Sequence, residues 1–365
     1  MRDYIILIQS TDATIDGFKQ NGLWTRQKST IEEYCKVFKV FYYTSDWKSF
    51  QDDMPEGAIH KIPLLRLRYF GFRHILYYIY LILSSFKWKK YRAVIRVFGV
   101  TLPVLHIIKS ISSKEMVISF QYDWAEVTRL NYRNVKHYIS RWIEKSAISN
   151  ADFIISTMQW LNDKAMTTYK KPKSKCCIIP NYVDLNVFYP EKKENLIVYA
   201  GRLHWSKGVN TLISAFLKFS KTNEEYNLYI FGIGEETDKL KALSKDNSHI
   251  YFMGAVAIEN YAEYLRKAEV FVLPSLTMEG HPKALIEAMA CGCKCFASDV
   301  PGNRDVLNEA SCNGLFEAGN EISLLNYFEK IVSIDSQKSY SFAVNSYAKE
   351  KLFAIECKLL SSHIN

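Results

Sequence analysis

The sequence predicts an α/β fold made of two doubly wound domains. The chain has 365 residues, which is enough for two α/β domains of ordinary size, each with a sizeable core. Residues 4–43 follow the order strand, glycine-bearing loop, helix and strand, which is the opening of a doubly wound domain. A second apolar strand, followed by a glycine loop and a helix, begins at residue 196. We therefore expect a first domain at residues 1–190 and a second at residues 191–340.

The first domain is expected to alternate strands and helices up to a polar linker. Apolar runs predict strands at residues 4–9, 37–43, 93–97, 116–120, 152–156 and 176–179. Helices are predicted at residues 23–36, in an apolar stretch ending near 111, at 129–149 and at 160–169. Residues 189–195 are polar and contain Pro190, so they indicate the linker between the domains.

The N-terminus and the cysteines indicate a protein of the cytoplasm. The first apolar run covers residues 5–8 and follows Asp3, which is too short for a signal peptide. The eight cysteines form no C-x2-C pair. Three of them, Cys291, Cys293 and Cys295, alternate through a helix end and the next strand, as small buried residues do. We therefore expect reduced cysteines, no metal site and no cofactor.

The net charge of +9 is concentrated in one segment of the chain. Residues 57–114 contain eleven Lys or Arg and no Asp or Glu. The apolar centre of this segment, residues 75–83, is too short to span a bilayer and is flanked by Arg73 and the basic, aromatic run 87–92. These features indicate a helix lying on an anionic membrane surface, where each cation contributes roughly 1 kcal/mol. A buried helix with solvated basic ends explains the pattern as well, and no motif for nucleic-acid binding is present.

The most informative stretch runs from Glu279 to Gly292, after an apolar strand at residues 270–274. Pro282 suits the first position of a helix and Gly292 its end, so a loop carrying an acid opens a helix of about ten residues. The N–H groups of residues 282–285 then form an anion site. Glu279 and Glu287 flank that site eight residues apart, and carboxylates accept hydroxyl groups well. The pattern predicts a sugar phosphate as ligand.

A cationic loop follows the strand at residues 196–200. Gly201 allows a tight exit from the strand, and the loop delivers Arg202 and Lys207 close to the start of the next helix. An arginine fork and a lysine point charge together can stabilise a departing diphosphate without a metal ion. Consistent with this, no D-x-D motif flanks a predicted strand.

Both stretches resemble the retaining glycosyltransferases of family 4, whose fold is called GT-B. Residues 201–208 read G-R-L-x-x-x-K-G, as in that family. The other stretch resembles the family's E-x7-E segment at Glu279, Gly280, Pro282, Glu287, Ala288, Met289, Ala290 and Gly292. The resemblance implies two Rossmann-like domains facing across a cleft, a nucleotide sugar on the second domain and retention of anomeric configuration. It also implies that the C-terminal helix, within residues 341–365, packs back on the first domain.

The resemblance assigns roles to residues of the second domain. Arg202 and Lys207 would neutralise the departing diphosphate, Glu279 would hold hydroxyls of the donor sugar, and Glu287 would hold the ribose. Further donor-binding positions are Gly201, Val256, Gly280, His281, Pro282, Lys283, Ala284 and Leu285. Val256 belongs to a segment whose backbone contacts the nucleotide base in the family.

Four positions of the first domain are candidates for the acceptor or sugar side of the site. Gly22 and Arg26 lie where the family has a glycine-containing loop beside the phosphates and the acceptor, although an ordinary turn explains them about as well. Tyr122 stands where family members often carry a histidine near the transferred sugar. Asp123 either binds a sugar hydroxyl or the acceptor, or is an ordinary acid at a strand end.

Together these features predict a glycosyltransferase that moves a sugar from a nucleoside diphosphate sugar to an acceptor hydroxyl. One acceptor compatible with the motifs is a lipid-linked glycan in bacterial surface-polysaccharide synthesis, reached from the inner face of the cytoplasmic membrane. A soluble acceptor is equally compatible. The rivals are a nucleotide-sugar epimerase of the same architecture and, because of Tyr122, a catalytically silent nucleotide-sugar binder at the membrane.

Overall fold

Two parallel β-sheets organise the chain, one in each of two units. The computed structural model describes residues 3–10, 13–46, 48–63, 70–131, 135–310, 314–333 and 335–364. Unit 1 comprises residues 1–180 and 353–365, and unit 2 comprises residues 181–352. Among the described residues, no helix combines the length and the apolar character needed to cross a bilayer. Arg66, Arg68 and Cys312 lie outside the described residues.

The described part of unit 1 forms a seven-stranded parallel sheet. Its strands are β1 Tyr4–Ile8, β2 Lys39–Tyr43, β3 Ala58–Lys61, β4 Ala93–Phe98, β5 Met116–Phe120, β6 Phe153–Ser156 and β7 Cys176–Ile178. They are arranged in the order β3-β2-β1-β4-β5-β6-β7. The helices are α1 Ile15–Gln20, α2 Trp24–Val37, α3 Phe70–Trp88, α4 Leu105–Ser112, α5 Trp124–Asn131, α6 Val135–Asn150 and α7 Gln159–Thr167. The central strands are almost wholly buried, as expected of parallel strands covered on both faces.

The elements α1, β3, α5 and α6 of unit 1 differ from the sequence-based prediction, and α1 lies in the stretch that was expected to be a glycine-bearing loop. The strand β3 was not predicted, because it is a four-residue edge strand in which Ile59 is exposed and His60 is buried. The single helix predicted at residues 129–149 is wrong: α5 starts earlier, at Trp124, and α6 is separate. Residues 132–134 between the two helices lie outside the described part.

The described part of unit 2 forms a six-stranded parallel sheet. Its strands are β8 Glu194–Ala200, β9 Asn227–Phe231, β10 Ile250–Gly254, β11 Ala268–Leu273, β12 Lys294–Ser298 and β13 Leu315–Phe316, in the order β10-β9-β8-β11-β12-β13. The helices are α8 Val209–Phe219, α9 Thr237–Leu243, α10 Ile258–Lys267, α11 Lys283–Ala290, α12 Asn303–Glu309, α13 Glu321–Phe328 and α14 Gln337–Tyr347. Cys291, Cys293 and Cys295 are buried, which confirms the sequence-based expectation.

The last helix, α15 Lys349–Ser362, passes from unit 2 into unit 1. Within unit 1, Glu356 Oε1 accepts hydrogen bonds from Arg96 Nε at 2.7 Å and from the Tyr34 hydroxyl at 2.8 Å. Arg96 and Tyr34 are both buried. Arg96 was counted among the basic residues facing a membrane, and the structure corrects this, because its side chain neutralises Glu356 in the core.

The strand order of unit 2 determines where loops gather. The chain proceeds outward from β8 to β10 on one side and from β11 to β13 on the other. The reversal between β8 and β11 is a topological switch point, where the loops at the carboxyl ends of both strands diverge and leave a crevice. The loops at residues 201–208 and 274–282 are the two that border it.

Candidate active site

The loop after β8 is joined to the loop after β9 by backbone hydrogen bonds. The N–H groups of Gly201 and Leu203 donate to the carbonyl oxygens of Phe231 and Ile233, both at 3.0 Å. Gly232 makes this approach possible, because a Cβ there would lie 1.9 Å from the Gly201 carbonyl oxygen. The two loops therefore form one continuous edge, and it carries the predicted cations.

A short 3-10 turn at Trp205–Lys207 connects this edge to the loop after β11. The Ser206 N–H donates to His204 Nδ1 at 3.2 Å, which caps the turn. The Leu276 N–H donates to the Ser206 carbonyl oxygen at 2.8 Å. The loops on the two sides of the switch point are thus fixed to each other.

Lys207 and Glu279 form an ion pair at this junction. Lys207 Nζ lies 2.6 Å from Glu279 Oε1, and the fully buried Ser275 donates its hydroxyl to the same oxygen at 2.5 Å. The side chains of Lys207 and Glu279 are 26% and 14% exposed, so the pair is reachable but only partly solvated. The cation expected at the diphosphate and the acid expected at the sugar are therefore bonded to each other.

Arg202 belongs to the same loop as Lys207. It is exposed, and among the described residues no hydrogen bond or ion pair engages its guanidinium group. Its carbonyl oxygen accepts the hydroxyl of Tyr199 at 3.1 Å. Burial raises the pKa of Tyr199, the Glu279 carboxylate raises it further, and the Arg202 guanidinium opposes that rise. Both charges therefore act on the Tyr199 hydroxyl.

The start of α11 differs from the sequence-based expectation. Pro282 precedes the first helical turn instead of belonging to it, and as a proline it has no N–H group. The Leu285 N–H donates to the Pro282 carbonyl oxygen at 3.1 Å. The predicted anion site, which comprised the amides of residues 282–285, is therefore corrected to at most the N–H groups of Lys283 and Ala284.

The two predicted acids differ in access. The Glu279 N–H donates to the Pro301 carbonyl oxygen at 2.9 Å, so the loop after β12 also fixes this residue, which precedes Gly280. Glu287 lies in the second turn of α11 and is only 3% exposed. Glu279 is therefore the more accessible carboxylate of the two.

His281 is turned into the interior of unit 2. Its ring lies edge-on against Tyr347 with centroids 4.9 Å apart, and within the described chain both ring nitrogens are buried without a hydrogen-bond partner. Burial, assisted by the ammonium group of Lys283, lowers the pKa of His281 to about 3, so the ring is neutral near pH 7. Lys283 Nζ lies 5.4 Å from the ring centroid of Tyr182. A contact between His281 and a donor would therefore come from its backbone.

The remaining predicted donor position lies along the same edge of the sheet. Val256 is half-buried in the loop between β10 and α10. The Gly232 N–H donates to the Gly254 carbonyl oxygen at 2.8 Å, which joins the end of β10 to the loop after β9. The edge is thus continuous from Gly201 to Val256.

Three of the acceptor-side positions lie in turns or helices of unit 1. Gly22 has a φ of +68° in the turn between α1 and α2, and Arg26 lies near the start of α2. Tyr122 is exposed and follows β5. The roles assigned to Gly22, Arg26 and Tyr122 stay predictions.

Asp123, the fourth acceptor-side position, stabilises a helix end. Its Oδ1 accepts the Glu126 N–H at 2.8 Å and lies 2.5 Å from Lys164 Nζ. Lys164 also pairs with the fully buried Glu144 at 3.0 Å. An Asp just before a helix commonly accepts hydrogen bonds from the first turn. These contacts favour the interpretation of Asp123 as an ordinary strand-end acid.

Sequence reasoning missed two residues that organise the junction. Ser275 orients Glu279, and Tyr199 bonds to the backbone of Arg202. The position of Ser275, two residues after the apolar strand β11, is a signal that could have identified it, because polar groups at the carboxyl ends of parallel strands meet at the site. Among the residues that the structure describes, no group of three or more His, Cys, Asp or Glu is arranged to hold a metal ion.

Comparison with known sequences supports a relation to glycosyltransferases. Residues 186–349 match the sequence profile of a family described as glycosyl transferases group 1. An uncharacterized glycosyltransferase of Methanocaldococcus jannaschii is 26% identical over 212 residues, which are 58% of this chain and 57% of that protein. The phosphatidyl-myo-inositol mannosyltransferase of Mycobacterium leprae is 30% identical over 118 residues, 32% of this chain and 32% of that protein. The chain thus spans 32% to 57% of the length of these relatives.

Comparison with solved structures covers nearly the whole chain. Sucrose-phosphate synthase from Thermosynechococcus elongatus has a TM-score of 0.75 at 17% identity and covers 99% of both chains. Anabaena HepE in complex with UDP and glucose has a TM-score of 0.75 at 13% identity, over 98% of this chain and 99% of that chain. WaaG, a glycosyltransferase involved in lipopolysaccharide biosynthesis, has a TM-score of 0.74 at 14% identity over the same shares. The chain therefore has the GT-B fold, and the match of its second unit to group 1 glycosyl transferases supports a place in the glycosyltransferase superfamily.

Proposed function

We propose that this protein transfers a sugar from a nucleoside diphosphate sugar to an acceptor hydroxyl. The observation that carries the proposal is the junction at the switch point between β8 and β11, where Lys207 Nζ and Glu279 Oε1 are 2.6 Å apart. Open α/β sheets bind nucleotides at such switch points. The exposed Arg202 adds a second cation to the same edge, and the start of α11 adds backbone amides.

In this reaction the departing diphosphate needs a countercharge. The bond between the anomeric carbon and the phosphate oxygen breaks, the diphosphate leaves with the bonding electrons, and the acceptor oxygen forms the new bond as its proton is released. Arg202 would bind the phosphates through its planar fork, and Lys207 would act as a point charge. Negative charge grows on the leaving oxygen as the bond breaks, so fixed cations stabilise the transition state more than the bound donor.

The carboxylates would bind the hydroxyl groups of the donor. Once Lys207 turns toward the diphosphate, Glu279 is released to accept a hydroxyl of the donor sugar, while Ser275 keeps the carboxylate in place. We assign the buried Glu287 to the ribose hydroxyls. Both contacts are hydrogen bonds to a charged acceptor, which are the stronger kind.

Several finer properties belong to the proposal. They are membership in family 4, retention of anomeric configuration, hexosyl transfer, independence of metal ions and a cytoplasmic location. The names of two similar proteins, a phosphatidyl-myo-inositol mannosyltransferase and a glycosyltransferase of lipopolysaccharide biosynthesis, support a lipid-linked or polysaccharide acceptor. The complex of HepE with UDP and glucose supports UDP-glucose as the first donor to test.

Donor binding and turnover of two variants test the proposal. A panel of nucleoside diphosphate sugars is screened by thermal shift, where a donor at 100 times its Kd adds about 2.7 kcal/mol of stability. Arg202→Met and Lys207→Met should each lower kcat by roughly 10²-fold, the typical effect of removing one charge-stabilising group. Lys218→Met is the matched control, because Lys218 lies at the far end of α8 and pairs with Glu321 at 2.6 Å.

The outcomes separate the proposal from its rivals. Wild-type turnover in both Arg202→Met and Lys207→Met would refute the roles assigned to these cations, provided that circular dichroism shows both variants folded. Release of free nucleotide with an epimerised sugar, and no transfer product, would identify an epimerase. Donor binding without any turnover would identify a silent binder. A loss of activity in EDTA that added metal ions reverse would refute metal independence.

A further inference from the structure

An exposed apolar stripe runs along α3, and the proposed reaction does not use it. Its residues are Ile75, Ile79, Leu83 and Phe86, all exposed. These four residues follow one another at intervals of four, four and three, which places their side chains on the same side of the helix. Exposed apolar surface of this kind often marks an interaction site.

The opposite side of α3 is part of the core of unit 1. The buried Tyr77 donates its hydroxyl to the carbonyl oxygens of Gln9 and Tyr43, both at 3.0 Å. Trp88 Nε1 donates to the Tyr43 hydroxyl at 2.9 Å. The helix is thus buried on one side and exposed on the other, and its contact with a membrane stays a prediction.

A second exposed stripe lies on α6, outside the basic segment that the sequence singled out. Val135, Tyr138, Ile139 and Trp142 are exposed, and Tyr138 and Trp142 retain 71% and 60% of their accessible surface. Steps of three, one and three residues again define one side of a helix. The opposite side of α6 is buried through Ser140, Glu144, Ala147 and Ile148.

The two stripes belong to one layer of helices. Within unit 1, α4 packs against both α3 and α6. The crossovers that contain these helices connect β3 to β4, β4 to β5 and β5 to β6, and right-handed crossovers in one direction put their helices on one side of a sheet. We call the outward surface of α3, α4 and α6 the helical face.

The helical face is positively charged. The sequences of α3, α4 and α6 contain one acidic residue, Glu144, which is fully buried and pairs with Lys164. Exposed cations on these helices or directly after α3 are Lys87, Lys89, Lys90, Lys136, Arg141 and Lys145. An anionic partner would therefore meet cations and no exposed carboxylate on these three helices.

We propose that the helical face docks on an anionic phospholipid surface. Tyr138 and Trp142 would lie at the level of the headgroups, where amphipathic aromatic rings are favoured, and the aliphatic residues of both stripes would reach the acyl boundary. Each engaged cation multiplies the partition coefficient roughly fivefold. Mixed basic, aromatic and aliphatic surface is complementary to a lipid interface in both charge and polarity.

A second copy of this chain is a less suitable occupant of the helical face. A symmetric contact would place the same cationic surface opposite itself, and like charges across an interface oppose binding. The proposal of membrane docking is independent of the proposed function, because every residue of the helical face belongs to unit 1. The residues proposed to bind the donor, including Lys207 and Glu279, belong to unit 2.

Vesicle flotation of the full chain tests the proposal. Vesicles of equal parts phosphatidylglycerol and phosphatidylcholine should bind the protein at low salt, and binding should weaken at least tenfold near 1 M salt, where the Debye length is about 3 Å. The double variant Tyr138→Ser and Trp142→Ser, and the double variant Lys136→Glu and Arg141→Glu, should each lose at least tenfold in partition. Ile322→Ser and Lys221→Glu are matched controls on exposed positions of unit 2 and should bind like wild type.

The possible results either support or overturn the proposal. No flotation at low salt, or equal binding to vesicles of phosphatidylcholine alone, would overturn it, as would wild-type binding by both double variants. Self-association that the Tyr138 and Trp142 substitutions abolish, without vesicle binding, would assign the helical face to a second copy. Thermal shift with the donor reports separately on unit 2, so a failure at the membrane leaves the proposed function standing.

Discussion

Replacing Gly208 by alanine should destabilise unit 2 and weaken donor binding. Gly208 joins the turn Trp205–Lys207 to α8 with φ +60° and ψ +27°. An alanine in this left-handed conformation costs roughly 1–2 kcal/mol. Its Cβ would also lie 2.1 Å from the Pro274 carbonyl oxygen, so the loops after β8 and β11 would have to move apart. Overpacking of this kind costs roughly 1–3 kcal/mol, which gives a total of about 2–5 kcal/mol.

Gly254→Ala provides the matched control for this substitution. Gly254 also has a positive φ, +72°, but no heavy atom lies within 4 Å of a Cβ placed there. The control should therefore lose only the conformational part, roughly 1–2 kcal/mol. Urea unfolding followed by circular dichroism measures both losses, with a transition fitted to each unit because two units need not unfold together.

Donor affinity gives a second measurement on Gly208→Ala. Movement of the turn displaces the adjacent Lys207 from the place where it would meet the diphosphate, so the Kd of the donor in calorimetry should rise in this variant. Equal stability of the two variants, together with unchanged donor affinity in Gly208→Ala, would refute the argument that the close contact of Gly208 with Pro274 positions the loops of the site.

Buried charged and titratable groups give three further expectations. Because the pKa of His281 falls to about 3, the unfolded chain binds a proton below pH 6.5 that the folded chain excludes. The free energy of unfolding should therefore fall by about 2 kcal/mol from pH 6.5 to 5 through this group. Urea titrations of His281→Phe should lack that part of the pH dependence, and an unchanged pH dependence would contradict the argument. Glu356→Gln should lower the free energy of unfolding by roughly 3–5 kcal/mol in the same assay, because it leaves the charge of the buried Arg96 uncompensated. Its control, Glu321→Gln in an exposed pair, should lower it by less than about 1 kcal/mol, and equal losses in the two variants would argue against a buried ion pair. Asp123→Ala should cost roughly 0.5–2 kcal/mol and leave the donor Kd unchanged, while lost turnover at wild-type stability would place Asp123 in the site.

Most strands could be predicted because buried parallel strands are continuous apolar runs, a signal that is local in sequence. The edge strand β3 lacks that signal, since it has four residues and Ile59 faces outward. Its existence depends on pairing with β2, which the local pattern does not reveal. The early start of α5 did leave a local trace, because Asp123 and Glu126 have the spacing of a capping box.

The candidate site could be predicted as a set of loops but not as a set of contacts. Glycines and cations at the ends of apolar strands identified the loops after β8 and β11, because the carboxyl ends of parallel strands share an edge. The bond between Lys207 and Glu279 joins residues 72 positions apart, and the sequence does not specify such a partner. The direction of the His281 ring is decided by packing against Tyr347, which comes from a different helix. The sequence therefore predicted which loops form the candidate site, whereas the contacts of each side chain could be identified only from the structure.

The ion pair at the junction makes donor binding an exchange of partners. Lys207 must weaken its bond with Glu279 to serve a diphosphate, and breaking a partly exposed pair costs up to about 1 kcal/mol of binding free energy. Glu279→Gln removes the competing charge, so a nucleoside diphosphate such as UDP should bind up to about fivefold more tightly in calorimetry. The same change should lower kcat, because a neutral amide binds the sugar hydroxyl less strongly than a carboxylate does. Ser275→Ala retains both charges and should leave UDP affinity nearly unchanged. Weaker UDP binding by Glu279→Gln would mean that the carboxylate orients Lys207 for the diphosphate and does not compete for it.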